Sequence, residues 1–579
     1  METVKVKING RDYDVPKGST ILEAAHYAGI TIPTLCYMKK INAIGACRVC
    51  VCEVKGARSL VAACVFPVAE GMEINTASEK VIKARKMTLE LILSNHNTDC
   101  LTCGRNQNCE LQSLAQYYGV DKVRFNTTEF EEDIDDSTGV IVRDNSKCIL
   151  CRRCVAACKE NQAVAVIGAN ERGFNTHIAC AFEMDLKEAP CVSCGQCIVA
   201  CPTGALHEAD DTYKVIEALN DPSKHVVVGV APSIRVQLGE AFNMPIGTNV
   251  EGKIAAALHR MGFDGVFDVD TAADLTILEE GTELLKRIEK GGPFPLITSC
   301  SPGWIKFAEY YFPKLLPNIS SCKSPQQMFG SVMKTYYAEK YNLNPEDIFV
   351  VSIMPCTAKK FEAARPDQMI NGVPAVDVAI TSREFAKLIN RMGIKFEELP
   401  DEEFDVPFGV ASGAGHIFGA TGGVMEAALR TVAEVVNKKP LEKLEFEEVR
   451  GVKDVKEATY NIGGMDINVA VTSGLANAKK LLEMVEKGEK NYHFIEIMAC
   501  PGGCVNGGGQ IIQPSSVTNY LDVRVERAKG LYSEDKGMTL RKSHENPVIK
   551  ELYDTYFGEP GSHKAHSILH THYAKRERY

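Results

Sequence analysis

Twenty-two cysteines in 579 residues, most of them bunched in short runs two residues apart, constrain this chain more than any other feature. A disulfide framework belongs to small secreted domains, whereas bunched thiols in a long chain without a leader are metal ligands. The opening METVKVKING lacks the basic-then-apolar layout of a secretory signal, and no apolar run approaches the roughly 18 residues of a membrane span. The cytoplasm is therefore the expected address, with no membrane span. A net charge of −10 without a basic stripe makes nucleic acid a poor partner. With 45% hydrophobic and 24% charged residues, the chain has material for several ordinary cores.

The first module opens with alternating apolar and polar residues over 4–15 around Asn9-Gly10, a hairpin signal, followed by a capping box at Thr20 and Glu23. Cys36, Cys47, Cys50 and Cys64 follow with C-x10-C-x2-C-x13-C spacing. This resembles a [2Fe–2S] ferredoxin domain with a lengthened first loop, as in the large electron-accepting subunit of respiratory complex I. By strand alternation Cys52 reads as a packed thiol rather than a ligand. An apolar-periodic helix is expected from about Ser78 to Leu93, and His96, Cys100, Cys103 and Cys109 come after it. Three thiolates and one imidazole make four ligands. The spacing alone permits a Cys3His zinc knuckle, but the same complex I subunit carries this H-x3-C-x2-C-x5-C pattern on a [4Fe–4S] cluster.

The third module is an internal duplication of C-x2-C-x2-C-x3-C, first at Cys148, Cys151, Cys154 and Cys158, then at Cys191, Cys194, Cys197 and Cys201. It is the run of bacterial two-cluster ferredoxins, in which the fourth cysteine ligates the other cluster. One set is then Cys148, Cys151, Cys154 and Cys201, and the other Cys191, Cys194, Cys197 and Cys158. Cys180 and Cys322 have no assigned role. One [2Fe–2S] and three [4Fe–4S] clusters before residue 210 make a relay for single electrons.

From Lys224 apolar strands such as HVVVGVAPS, DIFVVSIMP and INVAVTSG alternate with amphipathic helices, the pattern of a mostly parallel sheet covered on both faces. Cysteines fall just past strand ends: Cys300 in TSCSPGW, Cys356 in MPCTAKKFEAARP, and Cys500 and Cys504 in EIMACPGGCVNGGGQ. Open α/β sheets bind ligands beyond these carboxyl ends.

These three segments resemble the signature motifs of [FeFe]-hydrogenases, T-S-C-C-P-G-W, M-P-C-x2-K-x-x-E and M-A-C-x-G-G-C-x2-G-G-G, and the resemblance runs the length of the chain. The module order is most similar to catalytic subunits of multimeric, NAD(P)-linked and electron-bifurcating enzymes. The resemblance implies an H-cluster: a [4Fe–4S] cubane sharing one thiolate with a diiron subsite carrying carbon monoxide, cyanide and a bridging dithiolate. Carried over by motif, Cys356, Cys500 and Cys504 are cubane ligands, Cys504 bridges to the diiron, and Gly502 and Gly503 admit the inorganic core. Lys359 matches the lysine that donates to a cyanide. Pro232, Ser233, Gln326, Met354, Phe418 and Met498 match the pocket wall.

One residue departs from the pattern. Where the family has two adjacent cysteines, a proton donor and a cubane ligand, this chain has Cys300 and Ser301. Serine oxygen is a harder ligand and must lose its proton, so potential or occupancy is expected to shift. Three arrangements are open: Ser301 ligates, Cys300 ligates instead, or one iron stays open. Glu280, Glu283 and Arg287 share a helical face by their spacing, and with Ser320 they match the family's proton path to the donor cysteine.

The expected architecture is multidomain: an N-terminal β-grasp-like ferredoxin domain (1–78), a His/Cys cluster domain (79–125), a two-cluster bacterial ferredoxin domain (140–210), a large α/β catalytic domain with mostly parallel sheets (220–530) and a helical, small-subunit-like C-terminal segment (531–579). The function implied is reversible oxidation of H2 to protons and electrons. One alternative is an electron carrier of hydrogenase ancestry without the diiron site, which Ser301 favours; another is a complex I-like dehydrogenase subunit, to which only residues 1–110 point. No G-x-G-x-x-G follows a strand, so nicotinamide and flavin are expected on partner subunits. Ferredoxin is a second candidate electron partner, and the diiron site implies maturation proteins.

Overall fold

The structure, a computed structural model, describes residues 2–125 and 133–578. Strands Thr3–Ile8 and Arg11–Pro16 pair antiparallel around Asn9 and Gly10, whose φ angles of 49° and 83° are the left-handed pair a type I′ turn needs. Thr3–Ile8 also runs parallel to Met72–Asn75, which carries Val51–Val54 and then Val61–Ala62 to complete a five-stranded sheet. Helix Ile21–Tyr27 starts at the Thr20–Glu23 capping box and buries Ile21, Leu22, Ala24 and Ala25 in the same core as Val6, Ile8 and Val15. Helix Glu79–Leu93 begins at its Ser78 cap, as the periodicity predicts. Its buried Arg85 donates to Val51 O at 2.8 Å and to Tyr118 Oη at 3.1 Å, fastening this module to the sheet.

The duplicated cysteine runs are duplicated in backbone as well. Each leads into a short helix, Arg153–Ala156 and Gln196–Ala200, through a residue in the left-handed region, Arg152 at φ 59° and Gly195 at φ 67°.

Two four-stranded sheets follow. In the first, Gly265–Asp268, His225–Val230, Ile348–Met354 and Val378–Thr381 lie side by side and all parallel. In the second, Leu296–Ile297, Phe494–Met498 and Met465–Ser473 are parallel, while Val455–Ile462 is an antiparallel edge. The inner strands are buried along most of their length, apart from the exposed start of Met465–Ser473, which explains their apolar runs; the edge strand alternates. Helix Val269–Lys290 serves both sheets, with Ala272 and Leu275 in one core and Ala273, Ile277 and Leu284 in the other.

The boundary expected after residue 530 falls inside a helix, Val523–Gly537. Asp522 caps its start and no proline interrupts it. Arg430, with no exposed side-chain surface, joins it to helix Gly423–Asn437 by reaching Asp535 at 2.8 Å and Glu426 at 2.7 Å. Stripping one partner from such a buried network costs about 3–5 kcal/mol. Among the described residues no helix is long and apolar enough to cross a membrane.

Candidate functional site

The carboxyl ends of strands Leu296–Ile297, Ile348–Met354 and Phe494–Met498 converge, and the chain leaves each towards Cys300, Cys356 and Cys500 respectively. Between them is a cavity enclosing about 800 Å³ of empty space. Its wall includes Cys300, Ser301, Cys356, Cys500 and Cys504 together with Pro232, Gln326, Met354, Lys359, Phe418 and Met498. Ser233 is the expected wall residue that stands back: its hydroxyl faces Cys504 O at 3.4 Å and accepts Gln510 Nε2 at 3.2 Å. It supports the loop behind the cavity.

Glycine makes the close approach possible. At φ 94° Gly503 is left-handed, and a Cβ there would lie 2.6 Å from Thr421 N. Lys359 Nζ is anchored on Ser324 Oγ at 2.7 Å, Glu362 Oε2 at 2.9 Å and Cys300 O at 3.2 Å. Glu362 also holds the Gln326 amide at 3.1 Å, and Ser352 Oγ donates to Gln326 Oε1 at 3.0 Å. Sequence reasoning missed Ser324 and gave no role to Glu362, the last residue of M-P-C-x2-K-x-x-E, although it lies three residues past Lys359 on one helical face.

Burial drives the thiols of Cys500 and Cys300 well above their ordinary range, and Cys504 to about 12. After burial, Cys500 feels Cys356 first, whereas Cys300 feels Glu280 and then Cys504. Cys300 thus belongs electrostatically with the carboxylate side of the cavity. Ser301 belongs with the other side, its Oγ accepting the Ala499 N–H at 3.2 Å.

On helix Val269–Lys290, Glu280 is 1% exposed and its Oε1 has no partner. Burial, then the negative charge of Glu283, raises Glu280 to about 8. Ser320 lies between the two carboxyls, opposing that rise at Glu280 and donating to Glu283 Oε2 at 2.9 Å. Arg287 Nη2 reaches Glu283 Oε1 at 2.6 Å. The four expected residues therefore adjoin one another, and Glu280 is the nearest of them in effect to Cys300, whose thiol feels its charge first after burial.

The other predicted ligands group by module. Cys36, Cys47, Cys50 and Cys64 form one set of mutually perturbing thiols, with Cys50 and Cys64 sulfurs 3.5 Å apart. Cys52 turns away to Cys50 O and the Arg85 guanidinium, each at 3.7 Å. Burial raises Cys154 and Cys197 first; after it Cys154 feels Cys151, Cys148 and Cys201 ahead of Cys197, and Cys197 feels Cys194, Cys191 and Cys158 ahead of Cys201. That order follows the exchanged grouping the duplication leads one to expect, with the two sets side by side. His96 is 7% exposed and its Nδ1 has no partner. Burial lowers it to about 4, leaving a neutral imidazole near neutral pH. Cys100 opens the turn Cys100–Thr102, Cys103 packs against Gly204, and Cys109 faces Pro202 O at 3.7 Å.

The modules touch through their cysteine loops. Cys194 lines the cavity itself, which spacing could not disclose. Thr357 Oγ1 donates to Ser193 O at 2.7 Å, and Gln196 Nε2 to Asn506 O at 2.9 Å. Asn42 Nδ2 donates to both Cys36 O at 2.7 Å and Cys151 O at 3.1 Å.

Buried thiols that repel one another, without a disulfide among them, suit bound iron, because a cation reverses the cost of ionising them. The unpartnered nitrogen of His96 suits a ligand for the same reason. The residues fit the groups expected of them.

Comparisons with known proteins agree along the chain. The family described as iron only hydrogenase large subunit, C-terminal domain, matches residues 224–508, and iron hydrogenase small subunit matches 521–576. A 2Fe-2S iron-sulfur cluster binding domain matches 1–79, the NADH-ubiquinone oxidoreductase-G iron-sulfur binding region 85–124, and a 4Fe-4S dicluster domain 147–205. The chain is 48% identical to NADP-reducing hydrogenase subunit HndD of Solidesulfovibrio fructosivorans, over 100% of both chains. It is 44% identical to iron hydrogenase 1 of Clostridium pasteurianum, over 98% of this chain and 99% of that one. A solved variant of the [FeFe]-hydrogenase HydA1 from Chlamydomonas reinhardtii aligns with TM-score 0.56 and 43% identity, covering 62% of this chain and 98% of that one.

Proposed function

The chain belongs to the iron-only hydrogenase family and is an oxidoreductase acting on H2, and on that premise we propose which residues carry the reaction H2 ⇌ 2 H⁺ + 2 e⁻. The observation that carries the proposal is the cavity on which Cys300, Cys356, Cys500, Cys504 and Lys359 converge. Cys356, Cys500, Cys504 and Ser301 would hold the cubane, and Cys504 would serve the diiron subsite as well. That group, when bound, supplies the two-electron chemistry of H2. Lys359, fixed by Ser324 and Glu362, presents its ammonium to the cavity, while Pro232, Phe418, Met354 and Met498 keep water out.

Protons travel on side chains. Cys300 Sγ exchanges its proton with Glu280, which at about 8 is protonated and deprotonated readily near neutrality. Ser320 Oγ passes it between Glu280 and Glu283, and Arg287 fixes the outer carboxylate.

Electrons travel the other way out. Cys194, on the cavity wall, belongs to the first accessory [4Fe–4S] set, with Cys191, Cys197 and Cys158. The set containing Cys201 comes next. Two branches converge on it: the [2Fe–2S] set through Asn42, and the His96 set through Cys103 beside Gly204 and Cys109 beside Pro202. That makes one [2Fe–2S] and three [4Fe–4S] clusters beside the H-cluster. HndD is by name a subunit of an NADP-reducing hydrogenase, which supports an NAD(P)-linked partner subunit at these outer branches; flavin on that subunit, ferredoxin as a second carrier and maturation proteins for the diiron group are proposed from the resemblance alone. The proposed division keeps the five modules the sequence suggests, with the last boundary moved ahead of Val523 so that helix Val523–Gly537 stays whole.

Anaerobic protein made with its maturation machinery should show iron-bound carbonyl and cyanide infrared bands that shift under H2. Filled accessory clusters without those bands would overturn the assignment of the cavity.

A further inference from the structure

Arg287 cannot finish a proton path, because a guanidinium does not release its proton near neutral pH. Glu283, 18% exposed in its side chain, or a group beyond it must trade protons with solvent. Next to Glu283 the C-terminal segment places two stacked histidines, His566 and His570, with ring centroids 4.4 Å apart and planes at 13°. His566 is exposed. His570 is wired inward at both nitrogens: Nε2 meets Glu279 Oε2 at 3.0 Å, and Nδ1 meets Ser321 Oγ at 2.8 Å. Ser321 in turn donates its backbone N–H to Glu283 Oε2 at 3.2 Å. None of these contacts is needed by the path from Cys300 to Glu283.

Glu279 is 1% exposed and accepts Tyr553 Oη at 2.5 Å and Gly561 N at 2.9 Å besides His570. Such a carboxylate orients an imidazole, holding its proton on Nε2 and leaving Nδ1 to accept from a hydroxyl. When His570 gains a second proton on Nδ1, that N–H bond breaks as the proton passes to Ser321 Oγ, while the Oγ–H bond breaks as the hydroxyl's own proton passes on to Glu283. His570 returns to its neutral form, Ser321 keeps one proton and Glu283 gains one, and the reverse holds for release.

We infer that His570, with Ser321 inward and His566 outward, is the solvent-exchange end of the proton path, joined to Glu283 beside Arg287 rather than through it. Burial and then His570 depress His566, while Glu279 and Glu283 oppose this and His563 adds to it. The other groups facing the pair are Tyr553, Cys322, which bridges to His570, and Lys286, which reaches Gly561 O at 3.4 Å.

The inference rests on the proposed path through Glu283 and Glu280, and the test separates the two. H2 uptake is followed with an artificial electron acceptor in dilute buffer, from pH 6 to 9, on matured full-length His570→Gln, His566→Gln, Ser321→Ala and Glu280→Gln. His570→Gln should be slower by about tenfold and recover on added imidazole. Ser321→Ala should be slowed similarly without recovering, and His566→Gln, on the exposed ring, should show a milder loss that imidazole also repairs. If Glu280→Gln is crippled while the histidine variants keep wild-type rates and pH profiles, the inference falls and the path stands. If Glu280→Gln is also normal, both fall. A His570→Gln protein with full iron content that is slow yet indifferent to imidazole marks a structural histidine and overturns the inference as well.

Discussion

Ser301 Oγ accepts the N–H of Ala499 at 3.2 Å, one residue before Cys500. The oxygen is thereby tied to the segment that carries Cys500, whereas Cys300 feels Glu280. Of the arrangements open from sequence, this geometry favours Ser301 as the fourth cubane ligand, with Cys300 free for protons.

Ser301→Cys should then raise the reduction potential of the cubane, since a softer thiolate suits iron–sulfur better than an alkoxide. Redox titration by electron paramagnetic resonance, on protein made without maturation proteins, reads this directly. Ser301→Ala should lower cubane occupancy. Unchanged potential and occupancy in both variants would place the fourth ligand elsewhere.

Glu280 makes a prediction about pH. Burial, with Glu283 second, holds it at about 8 against an ordinary 4.5. Between those values the folded chain keeps a proton that the unfolded chain has lost. The contribution to stability is thus complete below 4.5 and disappears as pH climbs through 8. Glu280→Gln is neutral throughout, so it should gain on the wild type by about 2–4 kcal/mol between pH 5 and pH 9. H2 turnover should fall by about 100-fold or more. A melting-temperature difference that stays flat with pH would show that the carboxyl is not held protonated.

The sequence-level reading succeeded where chemistry is local. Ligand spacing, the Asn9-Gly10 turn and the Thr20 box each depend on a few neighbouring residues, and each has its counterpart in the fold. The Glu280–Glu283–Arg287 face was legible because helical periodicity is a local rule. Contacts across modules were not. Cys194 on the cavity wall, Asn42 between two cysteine loops and His570 against Glu279 join residues more than 100 apart, and no spacing rule reports them. Ser233 shows the limit of carrying residues over by motif: it sits in the expected loop but bonds behind the cavity.

Gly508 tests the junction between relay and cavity. A Cβ at this residue would lie 2.2 Å from Cys194 O and 2.7 Å from Gly195 Cα, both backbone atoms that cannot yield cheaply. Gly508→Ala should push the ferredoxin module off the cavity wall. Hydrogen–deuterium exchange catalysed within the site needs no outside electrons and should survive, while dye-linked turnover drops several-fold. Equal loss of both activities would mean that the glycine serves the cavity and not the junction.

His96 allows the outer relay to be cut without touching the cavity. Its ring is buried, neutral near pH 7 and unpartnered at Nδ1. A buried nitrogen without a partner costs about 1–3 kcal/mol unless a ligand takes it. His96→Ala removes one of four donors and opens the site to water, so the protein should lose iron from one cluster and one signal from its reduced spectrum. His96→Cys restores a fourth donor and should keep the iron with a shifted potential. Neither change reaches Cys194, so exchange between H2 and deuterated water should continue in both. If His96→Ala keeps its full iron content and every spectral signal, the imidazole is a core residue and the set at Cys100, Cys103 and Cys109 takes its fourth ligand from somewhere else.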